Sequence, residues 1–254
     1  MTFFQKYKAI IFFYCLACLL SWPFFFWRDV YTDSWNSLAL DPIIKTNFIM
    51  WGPGLSAIIT SFVFKAHIKK TITFFGSSSF KSILFWGVPM LAFLFFGDYG
   101  HEDTTMLRIA VYFGGIFLFT LGEELGWRGF LQDQLNHLPK WKQYLIIGSM
   151  WELWHFTTRT LSGSIGARIL RPLLFIIPNS FLSYIFGESV NKTKSIVVAV
   201  TFHAWYNLLF EFSNTRTYII FSASVLFWIF MLVKWDSKLN KRPKPDGHQL
   251  PSST

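Results

Sequence analysis

The sequence predicts an all-α, polytopic membrane protein, a bundle of about eight transmembrane helices around a polar intramembrane cavity. Three observations predict it. Of 254 residues, 52% are hydrophobic and 20% aromatic, with a mean hydropathy of +0.38, far from the profile of a soluble domain of this length. Apolar segments that supply the roughly 20 residues of a helical crossing recur eight times. Several of these segments also carry charge, which costs about 2.5–3.5 kcal/mol per group near the bilayer centre and so requires partners or water.

The expected spans are 8–27, 43–64, 80–97, 107–127, 143–158, 169–186, 195–212 and 218–235. The first follows Lys6 and Lys8 as a secretory signal would, but no small-residue cleavage site appears, and the run Trp22-Pro23-Phe24-Phe25-Phe26-Trp27 continues it. Its two cysteines, Cys15 and Cys18, share the spacing of a redox pair. Nothing nearby would activate a thiolate, so they read as packed apolar groups. Gly76-Ser77-Ser78-Ser79 separates spans two and three, and Gly163-Ser164-Ile165-Gly166 precedes span six. Arg171-Pro172 and Pro178-Asn179 are expected to interrupt span six.

An even number of crossings puts both termini on one side. Lysine gathers there, as Lys65, Lys69, Lys70 and Lys81, Lys140 and Lys142, and Lys192 and Lys194, whereas the opposite side has scattered arginines such as Arg28, Arg108 and Arg216. By the positive-inside rule the termini are cytoplasmic. The net charge of +9 therefore reads as topology and headgroup affinity, and no basic stripe with interleaved aromatics points to nucleic acid. Residues 1–235 form one membrane domain in this reading, and the basic stretch 236–254 is a tail too polar to bury a core.

Chemistry concentrates in three places. Glu123-Glu124-Leu125-Gly126-Trp127-Arg128 closes span four. At 100° per residue Arg128 lies about 40° from Glu124, which pairs those two and leaves Glu123 to act on something else, such as a water. Taken alone, the cluster serves equally well as an ion-pair network between helices. Span five adds Trp151-Glu152-Leu153-Trp154-His155, and span seven places His203 and Asn207 four apart on one face. With a rise of about 1.5 Å per residue from the expected span ends, Glu123, His203 and His155 lie about 6, 12 and 18 Å from one membrane face, compatible with a shared cavity.

Glu123-Glu124-x-x-x-Arg128, an aromatic-x-x-x-His ending at His155, and His203-x-x-x-Asn207, in that order, resemble the CPBP family of CAAX prenyl endopeptidases and bacteriocin-processing (ABI) proteins. The resemblance implies an intramembrane endopeptidase acting on a hydrophobic or lipidated peptide. It implies Glu123 as the base that activates water, His155 as a second holder of that water, Glu124 and Arg128 as orienting groups, and His203 and Asn207 as donors to the oxyanion. Trp151 stands where the family usually has phenylalanine, and Glu152 is an added carboxylate that tunes His155, faces lipid headgroups or meets another polar helix.

Catalysis by glutamate, histidine and water without a cofactor suits these side chains better than zinc, since no H-E-x-x-H is present. Were zinc used, Glu123, His155 and His203 would be its ligands. The same cavity would also suit a non-catalytic membrane scaffold or bacteriocin-immunity protein, while no inverted repeat suggests a transporter. The compact length favours a prokaryotic inner membrane.

Overall fold

The computed structural model describes residues 3–26, 49–64, 71–99, 106–156 and 165–235. They fold into eight helices of twelve residues or more: α1 (Phe3–Phe26), α2 (Gly52–Val63), α3 (Ser79–Phe96), α4 (Met106–Gly126), α5 (Lys140–Trp154), α6 (Ile165–Thr193), α7 (Ile196–Glu211) and α8 (Thr215–Val233). The expected tail lies outside the described residues.

Among the described residues, five helical stretches are long and apolar enough to cross a membrane: Tyr7–Phe24, Ser79–Phe96, Ile109–Leu135, Ile169–Thr193 and Thr215–Val233. Helices α2, α5 and α7 have 12, 15 and 16 residues; α7 is shorter than the expected 195–212, while residues 43–48 and 157–158 of the second and fifth expected spans lie outside the described residues. Helix α7 lies among the other helices, so protein surrounds much of its surface, whereas α2 and α5 keep exposed apolar faces such as Ile58 and Phe62 or Leu145 and Leu153. In α7, Val197, Val198, Ala199 and Val200 are all buried.

Two further departures from the sequence-based expectations have physical causes. Pro172 and Pro178 sit inside the unbroken helix α6. Each removes a single helical donor, a loss that a 29-residue helix packed among others survives. The fourth span does not end at Trp127. It continues through a π-helical turn, Trp127–Leu131, into Gln132–Leu135, so Glu123 and Glu124 lie well inside a long rod about 17 Å from its end.

Two apolar clusters set the helix positions. One joins α1, α2, α4, α5 and α6 through Phe13, Ala57, Leu121, Ile147 and Phe186. The other joins α3, α7 and α8 through Phe85, Phe93, Trp205 and Trp228. Helix α7 contributes to both, carrying His203 between them.

At one end of the bundle, residues 71–78 pair with the α6–α7 junction. Thr73 N donates to Lys194 O at 2.9 Å and Ile196 N donates to Thr73 O at 3.0 Å. Gly76, at φ 64°, packs where a Cβ would fall 2.3 Å from Thr193 O. Lys81 Nζ reaches Lys234 O at 2.8 Å at this end, and Tyr7 stacks on His137. The start of α1, the start of α3 and the end of α8 are thus on one side, together with the lysines of the α4–α5 and α6–α7 connections.

Candidate active site

Small residues bring the backbones close enough to form the site. Gly122 and Gly126 sit one turn apart on the α4 face that meets α2. A Cβ on Gly122 would lie 2.8 Å from Met50 O, and one on Gly126 would lie 2.5 Å from Pro53 Cβ. Gly54 makes the reciprocal approach, 2.7 Å from Gly122 O. Such small-residue seams let membrane helices touch, and this one fixes α4 on either side of the glutamate pair. On the other flank, a Cβ on Gly148 of α5 would come 2.4 Å from Ser180 Cα of α6.

Within this frame Glu123, Glu124 and Arg128 are all buried. Arg128 Nη1 donates to Glu124 Oε1 at 2.9 Å, and Nη2 donates to Ser183 Oγ on α6 at 3.2 Å. The guanidinium also lies 4.8 Å from the Trp151 ring centre and 5.1 Å from that of Phe186. Arg128 belongs to the π-helical turn, a feature that re-aims side chains within a helix. His203 Nδ1 reaches the same Glu124 oxygen at 2.8 Å. A carboxylate oxygen only accepts, so Nδ1 carries the proton and Nε2 is turned to the other glutamate.

Glu123 is arranged differently. Its Oε2 accepts the indole N–H of Trp151 at 2.7 Å. Its Oε1 lies 4.0 Å from His203 Nε2, and its Oε2 lies 4.0 Å from His155 Nε2. His155 caps the end of α5, where its Nδ1 donates to Trp151 O at 2.9 Å. In the neutral ring Nε2 is then an acceptor facing Glu123. Neither 4.0 Å separation is a direct hydrogen bond, but each suits a bridging water. Two hydrogen bonds of about 2.8 Å across such a gap subtend about 90° at the water, near its natural angle.

Five of the six residues singled out from the sequence thus meet: Glu123, Glu124 and Arg128 from α4 and its π turn, His155 from α5 and His203 from α7. Asn207 lies one turn beyond His203. Its Nδ2 is buried and makes no hydrogen bond among the described residues. Sequence reasoning missed Ser183 as a partner of Arg128, the contact between His203 and Glu124, and the donor role of Trp151. Only the last had a signal, an indole N–H four residues before His155. Glu152 does meet another polar helix: Asn179 Nδ2 donates to its Oε2 at 2.6 Å.

A zinc ion would need its donor atoms at about 2.0–2.2 Å in a tetrahedral set. Here the two histidines face different oxygens of Glu123, and one of those oxygens already accepts from Trp151. Among the described residues no group of three His, Cys, Asp or Glu is arranged to hold a metal ion. The set Glu123, His155 and His203 does not fit zinc in this geometry.

Residues 105–209 match the family model described as type II CAAX prenyl endopeptidase Rce1-like. This stretch contains every site residue named above from Glu123 to Asn207. A curated protein, CAAX prenyl protease 2 of Methanococcus maripaludis, is 31% identical over 136 residues, covering 49% of this chain and 50% of that relative. Over residues 105–209 the chain is thus similar to the type II CAAX prenyl endopeptidase Rce1-like family. The chain spans about half the length of the curated relative it matches. The matched stretch begins at α4 and ends within α7, so it holds all the polar groups of the site, while α1, α2, α3 and α8 lie outside it.

Proposed function

We propose that this chain is an intramembrane endopeptidase that hydrolyses a peptide bond of a hydrophobic or lipidated substrate, of the kind in which a prenylated cysteine stands near a peptide C-terminus. One observation carries the reading: the Glu123 carboxylate faces an imidazole Nε2 from each of two other helices at 4.0 Å. Between Glu123 Oε2 and His155 Nε2, both acceptors, a water would donate both protons and present its lone pair outward. That is the orientation an attacking nucleophile needs.

In this reading Glu123 takes the proton as the water oxygen bonds to the substrate carbonyl carbon. The tetrahedral oxyanion is met by Asn207 Nδ2, a buried donor with no other use among the described residues. His203 supplies a second donor from Nε2 as the imidazolium, its charge balanced at Nδ1 by Glu124. Collapse of the intermediate breaks the C–N bond, and the proton held by Glu123 passes to the departing amine. Glu124 and Arg128 fix His203 and the π turn and do not touch the reacting atoms.

The names of the matched family and relative support a CAAX-type substrate. Bacteriocin or other peptide processing uses the same chemistry with a different tail. The lysine-rich end of the bundle supports, by the positive-inside rule, termini on the cytoplasmic side of the membrane, which we read as a prokaryotic inner membrane. The test is cleavage of a farnesylated C-a-a-X peptide and its non-prenylated counterpart by purified protein in lipid vesicles. Cleavage of the farnesylated peptide alone supports the substrate class, and equal cleavage of both removes the lipid from it.

A further inference from the structure

We propose that Trp151 is a positioning residue for the hydrolysis, its indole N–H holding the Glu123 carboxylate in the orientation that leaves a water-sized gap to each histidine. The proposal rests on the reading of Glu123 as the base. Among the described residues, the indole provides the hydrogen bond that the carboxylate accepts, at 2.7 Å in a fully buried setting. The ring itself has little freedom. Arg128 lies over it at 4.8 Å, His203 meets it edge-on at 5.3 Å, and Phe186 packs at 6.4 Å.

The same residue also orients the other acceptor, because its carbonyl receives His155 Nδ1 at 2.9 Å. Trp151 therefore grips both walls of the gap, one through its side chain and one through its backbone. Without the indole donor, the carboxylate loses the hydrogen bond that fixes its rotation, and the 4.0 Å gaps that suit a water are no longer set. A phenyl ring at this position keeps the wall and removes only the donor.

The experiment compares wild type, Trp151→Phe and Glu123→Gln in vesicles with the farnesylated peptide. In parallel, the protein is labelled with 15N at its indole nitrogens, and the Trp151 signal is assigned by its loss in Trp151→Phe. The proposal expects kcat for Trp151→Phe to fall roughly tenfold to a hundredfold with KM within about threefold, as for loss of a hydrogen bond to a charged group. It also expects the Trp151 indole signal of the folded protein to shift in Glu123→Gln. Unchanged kcat in Trp151→Phe, or an equal loss of all activity and of folded protein with an indole signal indifferent to Glu123→Gln, overturns it. If wild type cleaves no faster than Glu123→Gln, the reading of Glu123 as base fails instead, and the indole signal alone decides whether Trp151 holds that carboxylate.

Discussion

Arg128 and Glu124 form an ion pair of 2.9 Å from which solvent is wholly excluded on both sides. A charge pair at membrane depth adds little net stability over an apolar replacement, but loss of one partner strands the other. Arg128→Ala should therefore lower unfolding stability in detergent by about 3–5 kcal/mol, read as a drop in thermal midpoint. Arg128→Lys should lose less, since a cation remains beside Glu124. Equal stability of the alanine variant and wild type would show that the pair is not holding α4 in place.

The four-residue spacing made the Arg128 partnership legible in the sequence, because one helix determines it. The packing of His203 against Glu124 and of Ser183 against Arg128 was not legible, since those contacts depend on how α6 and α7 dock. The length of α7 was misjudged for a related reason. Hydropathy sees apolar residues but not what covers them, so the buried helix α7 read as a full lipid crossing. The continuation of α4 past Trp127 was hidden because Gln132 and Asp133 look like the start of a loop. Both are buried, and Asp133 accepts from Thr71 N and Thr71 Oγ1, each at 2.6 Å.

The close approach of α5 to α6 should tolerate no added carbon. Gly148→Ala would set a Cβ 2.4 Å from Ser180 Cα, a backbone clash that only separation of the helices relieves. Overpacking of this kind costs about 1–3 kcal/mol. Because α5 carries Trp151 and His155, peptide cleavage by the variant should fall more steeply than its thermal midpoint. Cleavage at the wild-type rate would mean that α5 is not held by this contact.

The buried contact of Asn179 with Glu152 invites a graded test. Asn179→Leu removes a hydrogen bond to a fully buried carboxylate and should cost about 1–3 kcal/mol. Glu152→Gln keeps a side chain of the same shape that can still accept from Asn179, and should be milder. The reverse order of the two midpoints would point to Glu152 acting through its charge.

His155 and His203 face the two oxygens of one carboxylate, so their removal should not be additive. Each single alanine variant is expected to reduce kcat by roughly 10²–10⁴, and the double variant by little more than the more severe single. Strictly multiplicative losses would mean that the two rings serve independent steps.

The most direct test of glutamate-activated hydrolysis is the single-turnover rate of farnesylated peptide cleavage by Glu123→Gln in lipid vesicles, beside wild type. The amide can still accept the Trp151 N–H but cannot take a proton from water. A rate lower by a factor of at least about 10² is the predicted result, with a thermal midpoint close to that of wild type. A Glu123→Gln protein that cleaves the peptide at the wild-type rate would contradict the account.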